Sequence, residues 1–162
     1  MLVQFSIGQG KIEVTPLQLA HAYSLIATNG QSTIPHLVRY IENDKRKVII
    51  KPESRTDRVS IQPGARRHVL TGMFNAVNES GGTAYRAQFK PSWKVAGKTG
   101  TAQNPRGKND AWFVCFAPFD QPQILALVMI EDGGHGGHTA APIARDILDY
   151  YFNTVSIRGQ AP

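Results

Sequence analysis

The run Val95-Ala96-Gly97-Lys98-Thr99-Gly100-Thr101-Ala102-Gln103 gathers an ammonium, two hydroxyls and two glycines into one short stretch. Such a set suits a carboxylate. Lys98 supplies positive charge, Thr99 and Thr101 supply hydroxyl donors, and Gly100 lets a ligand approach the backbone. The flanking residues read as strand, and on an extended strand Lys98 and Gly100 point one way while Thr99 and Thr101 point the other. Ammonium and hydroxyls therefore converge only if the strand twists or lies at the rim of a cleft. A Gly-Lys-Thr tripeptide also ends a phosphate-binding loop, but that motif needs a further glycine upstream and a helix after it. Neither is present.

Other groups with chemical potential read as structural. Glu131-Asp132-Gly133-Gly134-His135-Gly136-Gly137-His138 holds ligand types, yet the glycines leave them mobile and no third fixed ligand is evident, so a flexible strand-to-helix loop is expected and no metal site. Cys115, the sole cysteine, lies among Trp112, Phe113, Val114 and Phe116 and reads as an inert core thiol. His21 and His68 are single helix histidines. Trp112 and Phe113 read as core or cleft wall.

The elements that must position these residues follow from punctuation and period. Thr15-Pro16-Leu17-Gln18 is a capping box with proline at the first helical position, and Asn29-Gly30 is a stop, which predicts a helix over 15–28. Its alanines suggest burial on more than one side. Gln31 to Asp57 reads as a polar excursion in which Leu37-Val38 and Val48-Ile49-Ile50 form a small hairpin. Ser60 is a candidate cap for a helix over 61–79, with Ala65, Val69, Met73 and Ala76-Val77 on one face. Strands are expected at about 93–102, 111–117 and 124–131, and their short connections favour an antiparallel meander. Thr139 is a candidate cap for a last helix over 140–152, with Ile143, Ile147 and Tyr150-Tyr151 as its apolar face and Pro142 tolerated in its first turn. The fold class expected is mixed α/β, or α+β, an antiparallel sheet flanked by helices.

Composition agrees with a globular chain: 162 residues, 41% hydrophobic and 19% charged. Much of the net charge of +6 sits between Arg39 and Arg67. Acidic residues interrupt the positives and aromatics are sparse, so a solvated face is expected rather than a nucleic-acid surface. No apolar run approaches the roughly 20 residues that span a bilayer, and Met1 is not followed by a signal-like stretch. A membrane or secreted parent protein would carry its targeting signal on another part.

Lys98-Thr99-Gly100-Thr101, preceded by Ala96-Gly97 and followed by Ala102-Gln103, resembles the third active-site motif of the serine penicillin-recognising enzymes. Other blocks match class B penicillin-binding proteins in the same order. They are Ser6-Ile7-Gly8-Gln9-Gly10 with Val14 to Ala20, then Gly82-Thr83-Ala84, Ala111-Trp112-Phe113 before Phe116-Ala117-Pro118, and Ala140-Ala141-Pro142-Ile143. The Trp112-Phe113 pair and the Ser6 to Gly10 block look most like the elongation-type, penicillin-binding protein 2 group. The resemblance implies the C-terminal part of a penicillin-binding transpeptidase domain, with a serine β-lactamase-like fold. It further implies a D,D-transpeptidase that forms a serine acyl-enzyme with D-Ala-D-Ala stem peptides, cross-links peptidoglycan, and is acylated by β-lactams. No cofactor is implied. In that reading Lys98 supplies charge and joins the proton network. The Thr99 and Thr101 hydroxyls hold the carboxylate beside Gly100, and the Thr101 backbone N–H is an oxyanion donor. A membrane glycosyltransferase partner and a place on the periplasmic face of the inner membrane are implied as well.

The family also needs Ser-x-x-Lys and Ser-x-Asn, and none of the serines from Ser6 to Ser156 begins either pattern. Both motifs precede the Ser6 block in the family. The 162 residues alone are therefore expected to be inactive, and the strand at 124–131 is expected to miss its pairing with the N-terminal half of the domain. Two rival readings are a β-lactam sensor or serine β-lactamase fragment, against which Gln103 and the flanking blocks argue, and a non-catalytic homologue acting as an interaction module.

Overall fold

The computed structural model describes residue 8 and residues 13–50, 56–104 and 107–155, without the side chains of Thr56 and Val155. The Ser6 to Gly10 block, Gly8 apart, lies outside the described residues. Helix α1 (Pro16–Ala27) begins on a complete capping box. Gln18 N donates to Thr15 Oγ1 (3.2 Å), and Thr15 N donates to Gln18 Oε1 (2.8 Å). Only Ala27 of this helix is buried, so the burial on several sides expected from its alanines is not found.

Residues 31–50 and 56–58 contribute two small ribbons, β1 (Gln31–Thr33) with β4 (Thr56–Arg58) and β2 (Ile41–Glu42) with β3 (Val48–Ile50). The hairpin expected from Leu37-Val38 starts later, at Ile41, because Asn43 makes the turn. The Asn43 side chain accepts from Lys45 N and Lys47 N, both at 3.0 Å.

Helix α2 (Pro63–Asn78) is capped by Gln62, not Ser60, since the Gln62 side chain accepts from Ala65 N. Its buried face is Leu70, Met73 and Val77. Val69 points outward, because the helix meets the sheet one position round from the stripe that the sequence suggests. Arg66 ties the two helices, donating to Ile26 O (2.7 Å) and Ala27 O (2.9 Å) at the carboxyl end of α1.

Strands β5 (Ala96–Gln103), β6 (Asn109–Ala117) and β7 (Ile124–Ile130) form an antiparallel meander in the order β5-β6-β7. Strand β5 starts three residues later than predicted. Pro91–Trp93 is a 3-10 turn, and Lys94 takes a left-handed φ of 46° that turns the chain into the sheet. Alternation along the strands divides the core. One face carries Ala111, Phe113, Cys115, Ala126 and Val128 against helix α3 (Ala140–Tyr150), while the other carries Ala96 and Phe116 against Ala27, Leu70 and Met73.

Helix α3 corrects the expected apolar face. Ala140, Ala141, Ala144 and Leu148 are buried, whereas Ile143, Ile147 and Tyr150 are exposed. Small alanines let the helix approach the sheet closely, and the larger residues are left outside that tight seam. Thr139 does not cap α3 with its side chain; its hydroxyl donates instead to Gly133 O (2.7 Å). The helix passes at Tyr151 into a π-helical turn, Tyr151–Val155. No described helix is long and apolar enough to cross a membrane.

Candidate functional site

The carboxylate-type residues lie on β5, which pairs only with β6 among the described residues and so leaves its other edge open. The register Gly97↔Cys115, Thr99↔Phe113 and Thr101↔Ala111 puts Thr99 and Thr101 on the α3 face. Lys98 and Gly100 fall on the α2 face with Ala96. Ammonium and hydroxyls therefore start from opposite sides of one strand. Lys98 is exposed, and its Nζ donates to the Thr99 carbonyl at 2.5 Å. Thr99 Oγ1 donates to Thr83 Oγ1 at 2.8 Å, across from the loop that follows α2.

Several contacts keep β5 in place. Asn78 Nδ2, at the end of α2, donates to both Phe74 O (2.7 Å) and Val95 O (2.8 Å), which joins the helix to the strand entry. Gly97 is fully covered: a Cβ there would stand 2.6 Å from Phe113 Cζ and 2.9 Å from Val114 O. At the far end Asn104 Nδ2 donates to Asp110 Oδ1 (2.8 Å) and to Asp132 Oδ1 (3.2 Å). Asp132 N donates to Asp110 Oδ1 (2.9 Å), and Gly134 N donates to Asn109 O (2.8 Å). This polar knot joins the end of β5, the start of β6 and the loop after β7.

The glycine-histidine loop is a packed support, not the flexible loop that its composition suggests. Gly136 and Gly137 are buried. A Cβ on Gly136 would meet Trp112 O at 2.1 Å and Gly100 O at 2.5 Å, and one on Gly137 would meet Thr83 O at 2.1 Å. Backbone lies directly on the backbone of β5, β6 and the Thr83 turn, so no side chain fits at either position. His135 and His138 remain exposed with ring centroids 6.2 Å apart, and no metal-ligating group of three occurs among the described residues.

The remaining expected residues are placed as follows. Phe113 is fully buried and Trp112 half-buried beside Gly100. Cys115 is buried, and desolvation pushes its thiol up to about 12. His21 Nε2 lies 3.0 Å from Ser32 Oγ, and His68 Nδ1 lies 2.8 Å from Gly64 O within its own helix. Two surface grooves of about 140 and 270 Å³ are lined by residues near Phe116 and Phe119, and neither includes Lys98 to Thr101. Thr83, Asn78, Gly136, Gly137 and the Asn104–Asp110–Asp132 knot were not assigned to the site from sequence. The only sequence hint was the density of glycine between β7 and α3 and the Gly82-Thr83-Ala84 block.

The family model described as the penicillin binding protein transpeptidase domain matches residues 2–149. The chain is 35% identical over 170 residues to peptidoglycan D,D-transpeptidase MrdA of Haemophilus influenzae, covering 93% of this chain and 26% of that protein. It is 34% identical over 151 residues to peptidoglycan D,D-transpeptidase PbpA of Mycolicibacterium smegmatis, covering 86% and 30%. Among solved structures, the imipenem acyl-enzyme complex of penicillin-binding protein A from M. tuberculosis aligns with a TM-score of 0.80 at 27% identity, over 92% of this chain and 33% of that one. Pseudomonas aeruginosa PBP2 in complex with WCK 5153 aligns with a TM-score of 0.73 at 36% identity, over 90% and 32%. The chain thus spans about a quarter to a third of the length of these relatives.

Proposed function

We propose that this chain, which belongs to the penicillin-binding protein transpeptidase family, forms the Lys98–Thr101 wall of the cleft in a class B, serine-type peptidoglycan D,D-transpeptidase. The observation that carries the reading is the edge of β5, where the Lys98 ammonium donates to the Thr99 carbonyl and the Thr99 hydroxyl pairs with the Thr83 hydroxyl. A stem peptide ending in D-Ala-D-Ala presents a carboxylate, which that edge suits by charge and by hydrogen bonding. β-Lactams present a carboxylate of the same kind.

Within this reading the residues divide the work. Thr99 and Thr101 hydroxyls hold the carboxylate, and Lys98 supplies the field and a proton-handling group. On an antiparallel strand the N–H and C=O of one residue share an edge, and the edge alternates from residue to residue. Lys98 reaching the Thr99 carbonyl supports an open-edge position for both Thr99 and Thr101, so the Thr101 N–H is suited to receive an oxyanion. The oxyanion forms when a serine attacks the penultimate D-Ala carbonyl, and losing one such donor slows reaction by on the order of 100- to 1,000-fold. The terminal D-Ala then leaves, and an amine from a second stem peptide resolves the acyl-enzyme. The serine and its lysine are supplied by sequence other than these 162 residues. Action at the periplasmic face of the inner membrane, beside a glycosyltransferase, belongs to the same proposal.

The test is covalent labelling of the full-length protein by a fluorescent penicillin. Labelling that survives denaturing electrophoresis, and that Lys98→Ala abolishes, supports a penicillin-binding protein. Rapid release of the label by hydrolysis points to a β-lactamase, and no labelling at all to a non-catalytic homologue.

A further inference from the structure

We propose that Thr83 is a positioning residue for carboxylate recognition, acting through the Thr99 hydroxyl at the rim of β5. This inference rests on the transpeptidase reading given above. The two hydroxyls lie 2.8 Å apart although their residues belong to different elements. Thr83 is exposed and Thr99 half-buried, so the pair opens toward the rim.

Thr83 is held independently of β5. Gly82 N donates to Glu79 O (2.9 Å), Ala84 N to Ala76 O (2.9 Å) and Tyr85 N to Gly82 O (3.1 Å). The side chain of Ala84 is fully buried beneath the turn. Gly137 closes on the other side, where a Cβ would stand 2.1 Å from the Thr83 carbonyl. The hydroxyl is thus presented to Thr99 from a turn anchored on α2 and on the loop before α3.

Proton arithmetic gives the pair its function. Two hydroxyls carry two protons; one lies inside the pair, and the other is free to donate outward. When Thr99 donates to Thr83, Thr99 offers only lone pairs at the rim, which repel a carboxylate. Rotation of both hydroxyls reverses the bond. Thr83 then donates to Thr99, and the Thr99 proton turns to the carboxylate. The chain of bonds runs in one direction, and each polarises the next. Only hydrogen bonds change. The pair selects for an anionic oxygen over a neutral ester, whether the carboxylate comes from a stem peptide or a β-lactam.

The experiment compares acylation of the full-length protein by benzylpenicillin and by its methyl ester. Thr83→Val is expected to slow acylation by the free acid by about fivefold, the loss of part of one charge-assisted hydrogen bond. It is expected to leave the rate with the ester unchanged. Thr83→Ser keeps the hydroxyl and is expected to stay near the unsubstituted rate with both. In a double-mutant cycle, Thr83→Val is expected to add nothing once Thr99→Val is present. Should the valine variant not fold, Thr83→Ala removes the same hydroxyl and is read in the same way. Equal slowing with acid and ester, or no slowing with either, overturns the role of Thr83 while leaving the transpeptidase reading intact. Failure of the unsubstituted protein to be acylated at all overturns both.

Discussion

Gly136→Ala is the most direct test of the idea that the glycine loop supports the Lys98 strand. The added methyl would lie 2.1 Å from Trp112 O and 2.5 Å from Gly100 O, against a limit of 3.0 Å that Cβ atoms essentially never cross. Both obstacles are backbone oxygens of paired strands, so no rotamer change relieves them. The loop must retreat by close to an ångström, or β5 and β6 must part. Overpacking of this kind costs about 1–3 kcal/mol. On the proposed reading of β5 as a cleft wall, shifts of that size reduce rate by on the order of 100-fold. The assay is urea denaturation together with penicillin acylation of the full-length protein. Gly72→Ala is the comparator, because a Cβ there meets nothing within 4 Å. In a helix interior that change is expected to stabilise by about 0.5–1 kcal/mol. If Gly136→Ala matches the unsubstituted protein in both stability and acylation, the loop does not rest on the strand as described, and the argument for its supporting role is refuted.

Four further outcomes follow from the same geometry. Asn78→Ala removes donors to Phe74 O and Val95 O, and is expected to lower stability by about 1–3 kcal/mol in denaturant titration. Leu148→Ala opens a fully buried site between α3 and the sheet and is expected to cost about 2–5 kcal/mol by the same measurement. The Cys115 thiol is raised from 9.0 to about 12 by burial, so the folded state binds the proton more tightly than the unfolded one. Its contribution is full below pH 9 and is lost as pH rises toward 12, and stability measured across that window should fall less steeply in Cys115→Ala. The same buried thiol should resist iodoacetamide in the folded protein and react once unfolded.

Much of this protein is legible in the residue order because the signals are local. The capping box at Thr15 and Gln18, the antiparallel meander and the Lys98–Thr101 run depend on neighbours in sequence, and a backbone with period two fixes which side each residue takes. The family likewise follows from ordered blocks. What could not be read is which stripe of a helix meets the sheet. Ile143 and Ile147 outweigh Ala141 and Ala144 in hydrophobicity, yet close approach selects the alanines. The cap of α2 passed from Ser60 to Gln62, and the Thr139 hydroxyl went to Gly133 O, because side chains near a helix start have several backbone partners within reach.

The sequence by itself determined the chemistry on offer at β5: an ammonium, two hydroxyls and a strand that separates them by face. Only the tertiary structure decided what is brought against them. The turn after α2 brings Thr83 to Thr99, and two glycines let the loop before α3 lie on the strand backbone. These are contacts between segments far apart in the chain. They arise from which surfaces pack together, a property that no local pattern of residues carries.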